Sequence, residues 1–291
     1  MGARAKLARV ALVLTFGATL FGSQPALVPL VLIEYPGAVN TRPMGINDRG
    51  QVVGVYVNPD SRIHGFLLDQ KGEFTSIDVP GAIQTNAQRI NSEGDIVGFY
   101  NTAPGRSRGF LLRHGTFYDV YFPGSFLTTA LGINARGDIV GQYNDVGGPP
   151  RHGYLLRQGT YVPIDYPGAL RSVAIDINDR GDIVGMYVDT AGATHMYLLA
   201  DGEFTSIDVP GALGTGSLNS VAGSNNKGEI AGGYLWTDMK VRGFLKDADG
   251  FHTIDFPDTM QVSPKSINER GDIVGFYRDL GNRDHGFLIR R

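Results

Sequence analysis

The stretch Gly45-Ile46-Asn47-Asp48-Arg49-Gly50-Gln51-Val52-Val53-Gly54-Val55-Tyr56 decides the fold, because close copies of it return five more times. Its asparagine recurs as Asn91, Asn134, Asn178, Asn225 and Asn268, at steps of 44, 43, 44, 47 and 43 residues. An Ile-Asp-x-Pro-Gly-Ala phrase precedes each copy, starting at Ile33, Ile77, Val120, Ile164, Ile207 and Ile254. A third phrase follows each, first as His64-Gly65-Phe66-Leu67-Leu68 and then from Arg108, His152, His195, Arg242 and His285. Self-similarity at this period is the signature of a repeat architecture whose units stack to share a core.

Each unit reads as four short strands. Strand A ends at Ile-Asn, strand B is Asp-Ile-Val-Gly-x-Tyr, strand C is Gly-Phe-Leu-Leu and strand D is Phe-x-x-Ile-Asp. Asn-x-x-Gly links A to B as a type I turn closed by a left-handed glycine. Pro-Gly ends strand D. The longest run free of Gly and Pro between Val31 and the C-terminus is twelve residues, as in 82–93, so helices of ordinary length have no room. Strands B and C are apolar on both faces, which suits blades packed face to face. The sequence therefore predicts an all-β fold over residues 31–291: a six-bladed β-propeller of four-stranded blades. The last unit stops after Gly286-Phe287-Leu288-Ile289 without a strand D, whereas the first begins with an orphan one, Val31–Tyr35. Pairing the two closes the ring and leaves no unpaired repeat end.

Composition narrows the chemistry. The net charge is −3 with no basic cluster beyond the first ten residues, which gives nucleic-acid binding no electrostatic support. The chain has no cysteine, so disulfides and thiolate chemistry are excluded. Arg4, Lys6 and Arg9 precede an apolar run from Val10 to Phe21, followed by Gly22-Ser23-Gln24. This order predicts a signal peptide over 1–23 and a secreted or periplasmic location. The run is short for a membrane span, so none is expected to remain after cleavage.

Gly-Ile-Asn-x-x-Gly-x-Val-Val-Gly, a spacer and then His-Gly-Phe-Leu resembles the HAF-type extracellular repeat. The family's His-Ala-Phe stands here as His64-Gly65-Phe66. The resemblance covers nearly all of 31–291. It implies an exported bacterial protein and no particular reaction.

Searching for chemistry yields repeated slots rather than a catalytic set. No nucleophile elbow, zinc-protease helix motif or phosphate loop occurs. His64, His152, His195 and His285 share a slot with Arg108 and Arg242. Copies of one slot lie too far apart around a ring to share a metal, so these side chains are read as covering their own blades and bonding a local carbonyl. Tyr56, Tyr100, Tyr143, Tyr187, Tyr234 and Tyr277 end strand B, either packed between blades or serving as sugar shelves. Asp78, Asp165, Asp208 and Asp255 recur in strand D, read as bonding the Pro-Gly turn rather than acting as glycosidase carboxylates. Three Arg-Gly-Asp tripeptides, at Arg136, Arg180 and Arg270, fall inside tight A–B turns and not on adhesion loops. Neither a metal nor a cofactor is expected.

A binding site is expected where the repeat breaks. The Ile-to-Asn span is 14 residues in five units and 18 from Ile207 to Asn225. The B–C loop of that unit holds Trp236, the only tryptophan, with Asp238 and Lys240. Near the axis, Arg89 and Asp176 replace a slot that is otherwise Gly or Ser, and Lys265 adds a charge. These six residues are read as one asymmetric pocket, with Trp236 as its platform. The expected protein is a monomeric, exported, non-catalytic binding protein that recognises a glycan or a protein through one propeller face. The alternative is an exported hydrolase or lyase with a single site at the central pore mouth.

Overall fold

The structure is a computed structural model that describes residues 5–6, 11–15, 27–146, 151–215 and 223–291. Most of the segment read as a signal peptide therefore lies outside the described residues. So does 216–222, the greater part of the long D–A loop.

Every described element is a strand, and the strands form a β-propeller arrangement. The second unit is representative: Gln84–Ile90, Ile96–Ala103, Arg106–Arg113 and Thr116–Val120 pair antiparallel in the order A-B-C-D. The first four units stand as separate sheets. The first carries an added edge strand, Ala5–Lys6, on its strand D. The fifth and sixth do not separate. Their strands run in one ten-stranded sheet, joined by a single parallel pairing of Val241 with Gln261. The strand responsible, Thr259–Ile267, starts directly after the Pro257-Asp258 turn and is longer than its counterparts.

The closing pairing is present. Leu27–Ile33 lies antiparallel beside Asp284–Ile289, with Ile33 opposite Gly286, Leu32 opposite Phe287 and Leu30 opposite Ile289. The strand ends at Ile33, not at Tyr35. Tyr35 instead opens a type II turn in which the Ala38 N–H donates to the Tyr35 carbonyl, with Pro36 at the second position and Gly37 at φ 78°.

The core lies between blades, and it also closes. Val53 of the first unit packs with Ala87, Ile90 and Phe110 of the second. Val97, Val140, Val184 and Ala231 do the same for the third to sixth. Val274 of the last unit packs with Ile46, Val52 and Phe66 of the first. Fully burying one such side chain stabilises by about 1.5–3 kcal/mol. The glycine in Val-Val-Gly follows from this packing. A Cβ on Gly141 would stand 1.9 Å from the Thr129 carbonyl oxygen and 2.9 Å from the Tyr154 ring.

Asparagine makes the tightest link between units. Oδ1 of Asn91 accepts the N–H groups of Glu93 and Asp95, which fixes its own turn. Its Nδ2 donates across to the Asn134 carbonyl at 3.0 Å. The same donation runs from Asn47 to Asn91, Asn134 to Asn178, Asn178 to Asn225, Asn225 to Asn268, and Asn268 back to Asn47. All six side chains are buried.

Asn91→Asp keeps the acceptor but removes the donor that reaches the next unit. It should destabilise the protein by about 1–3 kcal/mol in urea unfolding, the cost of a buried hydrogen-bond partner left unmade, and Asn91→Ala by more. A wild-type midpoint for Asn91→Asp would show that the cross-unit bonds contribute nothing.

Candidate functional site

Each regular strand A carries a β-bulge just before its Ile-Asn, as between Ala87 and Arg89. The bulge re-aims the chain at the axis. The slot after it reads Gly45, Arg89, Gly132, Asp176, Gly223 and Ser266 around the ring. Glycine alternates with a side chain because the strands crowd there. A Cβ on Gly132 would lie 2.7 Å from the Asp176 Cα, and one on Gly223 would lie 2.7 Å from the Ser266 Cα.

The room so made is filled by an ion pair. Nε of Arg89 donates to Oδ1 of Asp176 at 3.1 Å, and its other nitrogens donate to the carbonyls of Met44, Gln88 and Lys265. Oδ2 of Asp176 accepts the Ser224 N–H at 3.0 Å. Lys265 occupies the bulge position of the sixth unit and is 2% exposed, with Nζ 5.3 Å from the centre of the Phe276 ring. Burial, reinforced by the charges of Arg89 and Arg42 against that of Asp284, pulls its pKa down to about 7. Burial pushes Asp176 up, with Arg89 and the Ser224 N–H opposing. Arg89, Asp176 and Lys265 are thus brought together as an axial plug. Above the plug the asparagine turns line an open depression of about 70 Å³, room for a few waters.

Trp236, Asp238 and Lys240 sit at the other end of strand B from this plug. Ile230–Leu235 separates the Asn225–Gly228 turn from the Trp236–Met239 turn, about 20 Å at the usual strand rise. The half-buried Trp236 ring covers Gly211 and meets Tyr234 edge-on at 5.9 Å. Lys240 Nζ pairs with Asp255 at 2.8 Å. Asp238 takes two bonds from Arg242, which, with the Lys240 N–H, hold its pKa near 2. The six residues thus form two groups, one axial and one on the face made by the B–C and D–A loops. Alternating strand direction puts those loops opposite the asparagine turns.

The repeated slots are structural. The histidines bond the carboxylate of the neighbouring strand D, not a carbonyl: Nδ1 of His64, His152 and His195 lies 2.7, 2.8 and 3.0 Å from Asp78, Asp165 and Asp208. Glu34, just past the closing strand, stands in for aspartate at His285, at 2.8 Å. Those three aspartates are occupied by the histidines, not by the Pro-Gly turn, whereas Asp255 pairs with Arg242 and also accepts the Phe256 N–H at the start of its turn. Tyr56 is stacked between Tyr35 and His64, Tyr143 between Phe122 and His152, and Tyr187 between Tyr166 and His195. Both ring faces are covered, so these tyrosines offer no sugar shelf. In the Arg-Gly-Asp turns, Asp138 and Asp272 are buried and paired with Arg136 and Arg270.

A feature unread in the sequence lies on the D–A face. Val39, Ile83, Phe126, Leu170, Leu213 and Met260 are 40–55% exposed. Each stands six residues after the first residue of its unit's Ile-Asp-x-Pro phrase. The N–H groups of the first five donate to the end of strand B, at Val57, Asn101, Asn144, Val188 and Leu235. The backbone is held while the side chain points out. Leu213, bonded to Leu235, adjoins Trp236, and Met239 of the Trp236 turn is also exposed.

Two groups give opposite pH slopes. Lys265 titrates near 7 in the fold and at 10.5 in a free chain, so the unfolded state binds more protons between these values and stability rises with pH there. Lys265→Met should abolish this rise; an unchanged slope would contradict a neutral buried amine. For His285, burial pulls the pKa down, but bonds and charges from Asp279 and Glu34 outweigh it and leave the pKa raised. Its contribution is complete below about 6.5 and is lost as pH rises through the folded value. His285→Gln should therefore cost stability at pH 5.5 and little at pH 8.5, and an equal loss at both would overturn the assignment.

No family model matches the sequence, and no curated protein matches it significantly. Solved structures do match. TolB from Acinetobacter baumannii superposes with a TM-score of 0.61 at 15% identity, over 83% of this chain and 64% of that one. AofleA from Arthrobotrys oligospora gives 0.59 at 12%, over 92% and 88%. A fucose-specific lectin from Aleuria aurantia gives 0.55 at 10%, over 87% and 93%. This chain thus spans under two thirds of the Acinetobacter protein and most of the other two. At such identities the likeness is one of fold: the chain is an all-β propeller similar to TolB and lectin structures.

Proposed function

We propose that this chain is an exported, monomeric, non-catalytic binding protein of the HAF-repeat type. In this reading the ten-stranded sheet counts as two blades of a closed ring of six, and the D–A face docks a protein ligand. The closed circuit of asparagine bonds and the cyclic sharing of core residues support six units in one ring. Export rests on the order of charge and apolar residues in 1–23. Cleavage there would remove only edge strands and leave Leu27–Ile33 to close the ring.

The observation that carries the docking face is the six-fold set Val39, Ile83, Phe126, Leu170, Leu213 and Met260. The set recurs once per unit on one face, and repeated equivalent contacts raise avidity for a partner that spans several units. Trp236 extends that face beside Leu213, with Asp238 and Lys240 as its polar border. Five of the six are aliphatic, which suits a protein surface better than a sugar. Glycan recognition is the second reading. It is favoured by the fold shared with the fucose-specific lectin and by Phe126, whose ring lies 5.7 Å from the Arg106 guanidinium. Catalysis at the pore mouth has little support, because the axis is filled by Arg89, Asp176 and Lys265.

A photo-crosslinking residue at Ile83 or Leu170, in the cells that make the protein, should capture a protein partner, and one at Ser92 on the opposite face should not. Ile83→Asp/Leu170→Asp/Leu213→Asp should abolish capture at the remaining positions with an unchanged melting temperature, since exposed substitutions cost about 0.5 kcal/mol or less. Capture from Ser92 alone, or binding on a glycan array with no crosslinked protein, would overturn the protein-docking assignment.

A further inference from the structure

The opposite face, built from A–B and C–D turns, carries a cleft of about 560 Å³ spanning the second to fourth units. Arg113, Arg136, Arg157 and Arg180 line it, together with Gly137 and Asp138. The arginines have half-exposed side chains, from 41% to 55%, above carboxylates that are nearly buried. Arg113 holds Asp95 at 2.6 Å and Arg180 holds Asp182 at 2.6 Å. Asp138 serves two partners, Arg136 at 3.3 Å and Arg157 at 3.1 Å. These bonds with Asn134 and the arginines keep Asp138 below the usual carboxylate range against its burial. Three carboxylates therefore face four guanidinium groups. They hold them from the inner side, Arg136 also donates Nη1 to the Asp179 carbonyl, and the guanidinium side chains stay about half exposed.

The turn glycines let these groups gather. The Cβ position of Gly181 is 3.1 Å from Nη2 of Arg136 and 3.6 Å from Nη2 of Arg157, which bounds their separation at about 7 Å. Nη2 of Arg113 lies 3.2 Å from the corresponding position of Gly137. Only the neighbouring C–D arginines set this stretch of the ring apart. The slot of Arg113 and Arg157 is also Arg290 in the sixth unit but is Asp69, Ala200 and Asp247 in the first, fourth and fifth, whereas the slot of Arg136 and Arg180 is basic in every unit but the second, where it is Glu93.

We propose that this cleft binds a short acidic oligosaccharide through its carboxylate or sulfate groups. Planar guanidinium forks held a few ångströms apart suit oxyanions carried on successive sugar rings. The lining contains no aromatic residue, which lacks the stacking surface that single-stranded nucleic acid uses. A net charge of −3 over the whole chain opposes a long polyanion beyond the cleft. This site lies on the opposite face from the apolar set and is independent of it.

Trigalacturonate and a sulfated dextran oligomer test the proposal by titration calorimetry at low and high salt, with neutral dextran and an oligodeoxynucleotide as controls. At least one acidic sugar should bind, more weakly at high salt, and neutral dextran should not; which one binds distinguishes carboxylate from sulfate. Arg157→Gln/Arg180→Gln should weaken binding at least tenfold with an unchanged melting temperature, whereas Arg49→Gln/Arg270→Gln should not. If the first pair fails to fold, Gln158→Glu adds a negative charge to the lining and should weaken binding as well. Binding of neither acidic sugar, affinity unaffected by both cleft variants, or preferential binding of the oligodeoxynucleotide would overturn the proposal.

Discussion

Six buried carboxamides hold the propeller together. An asparagine at the A–B turn must do two things at once: accept N–H groups from its own turn and donate to the carbonyl of the next unit's asparagine. No other side chain of that length offers both an acceptor and a donor in one rigid plane. The circuit closes only because Asn268 reaches Asn47. Drawing six turns together crowds the strands below them, and glycine at alternate units, as at Gly132 and Gly223, relieves the crowding. The space left is taken by Arg89 and Asp176.

This constraint also decides where recognition can occur. At the asparagine-turn end the ion pair and the ring of amides leave an open depression of about 70 Å³, small for a ligand of several rings. The buried pair is a costly way to fill a channel unless its members are paired and bonded, and here Asp176 also takes the Ser224 N–H. Loops and turns are then the surfaces open to partners. They differ sharply in character: the D–A side presents one apolar group per unit, and the A–B side presents guanidinium groups anchored on inward carboxylates.

Much of this was legible in the residues, and the failures have physical causes. The Asn-x-x-Gly turns and the closing strand followed from turn chemistry and from counting strands. The merging of the last two units rests on one pairing, Val241 with Gln261, which no local pattern encodes. Grouping Trp236 with Arg89 ignored strand direction: the B–C loop and the slot before Ile-Asn lie at opposite ends of a blade. Lys265 read as a ligand contact of a pocket near the axis, but a bulge, invisible in composition, buries it there. The partners of the histidines required the register between strands C and D. The six exposed apolar positions could have been found, since each follows Pro-Gly-Ala or its variant at a constant offset, but a strand pattern treats such residues as core by default.

Hydrogen exchange at the N–H groups that each asparagine Oδ1 accepts tests ring closure most directly. The relevant amides are those of Gln51, Asp95, Asp138, Asp182, Glu229 and Asp272. A closed ring opens only with the whole fold, so all six should be protected to a similar degree, including the two that flank the Asn268–Asn47 seam. Exchange at Gln51 and Asp272 faster by orders of magnitude than at Asp138 and Asp182 would mean that the array is open at that seam.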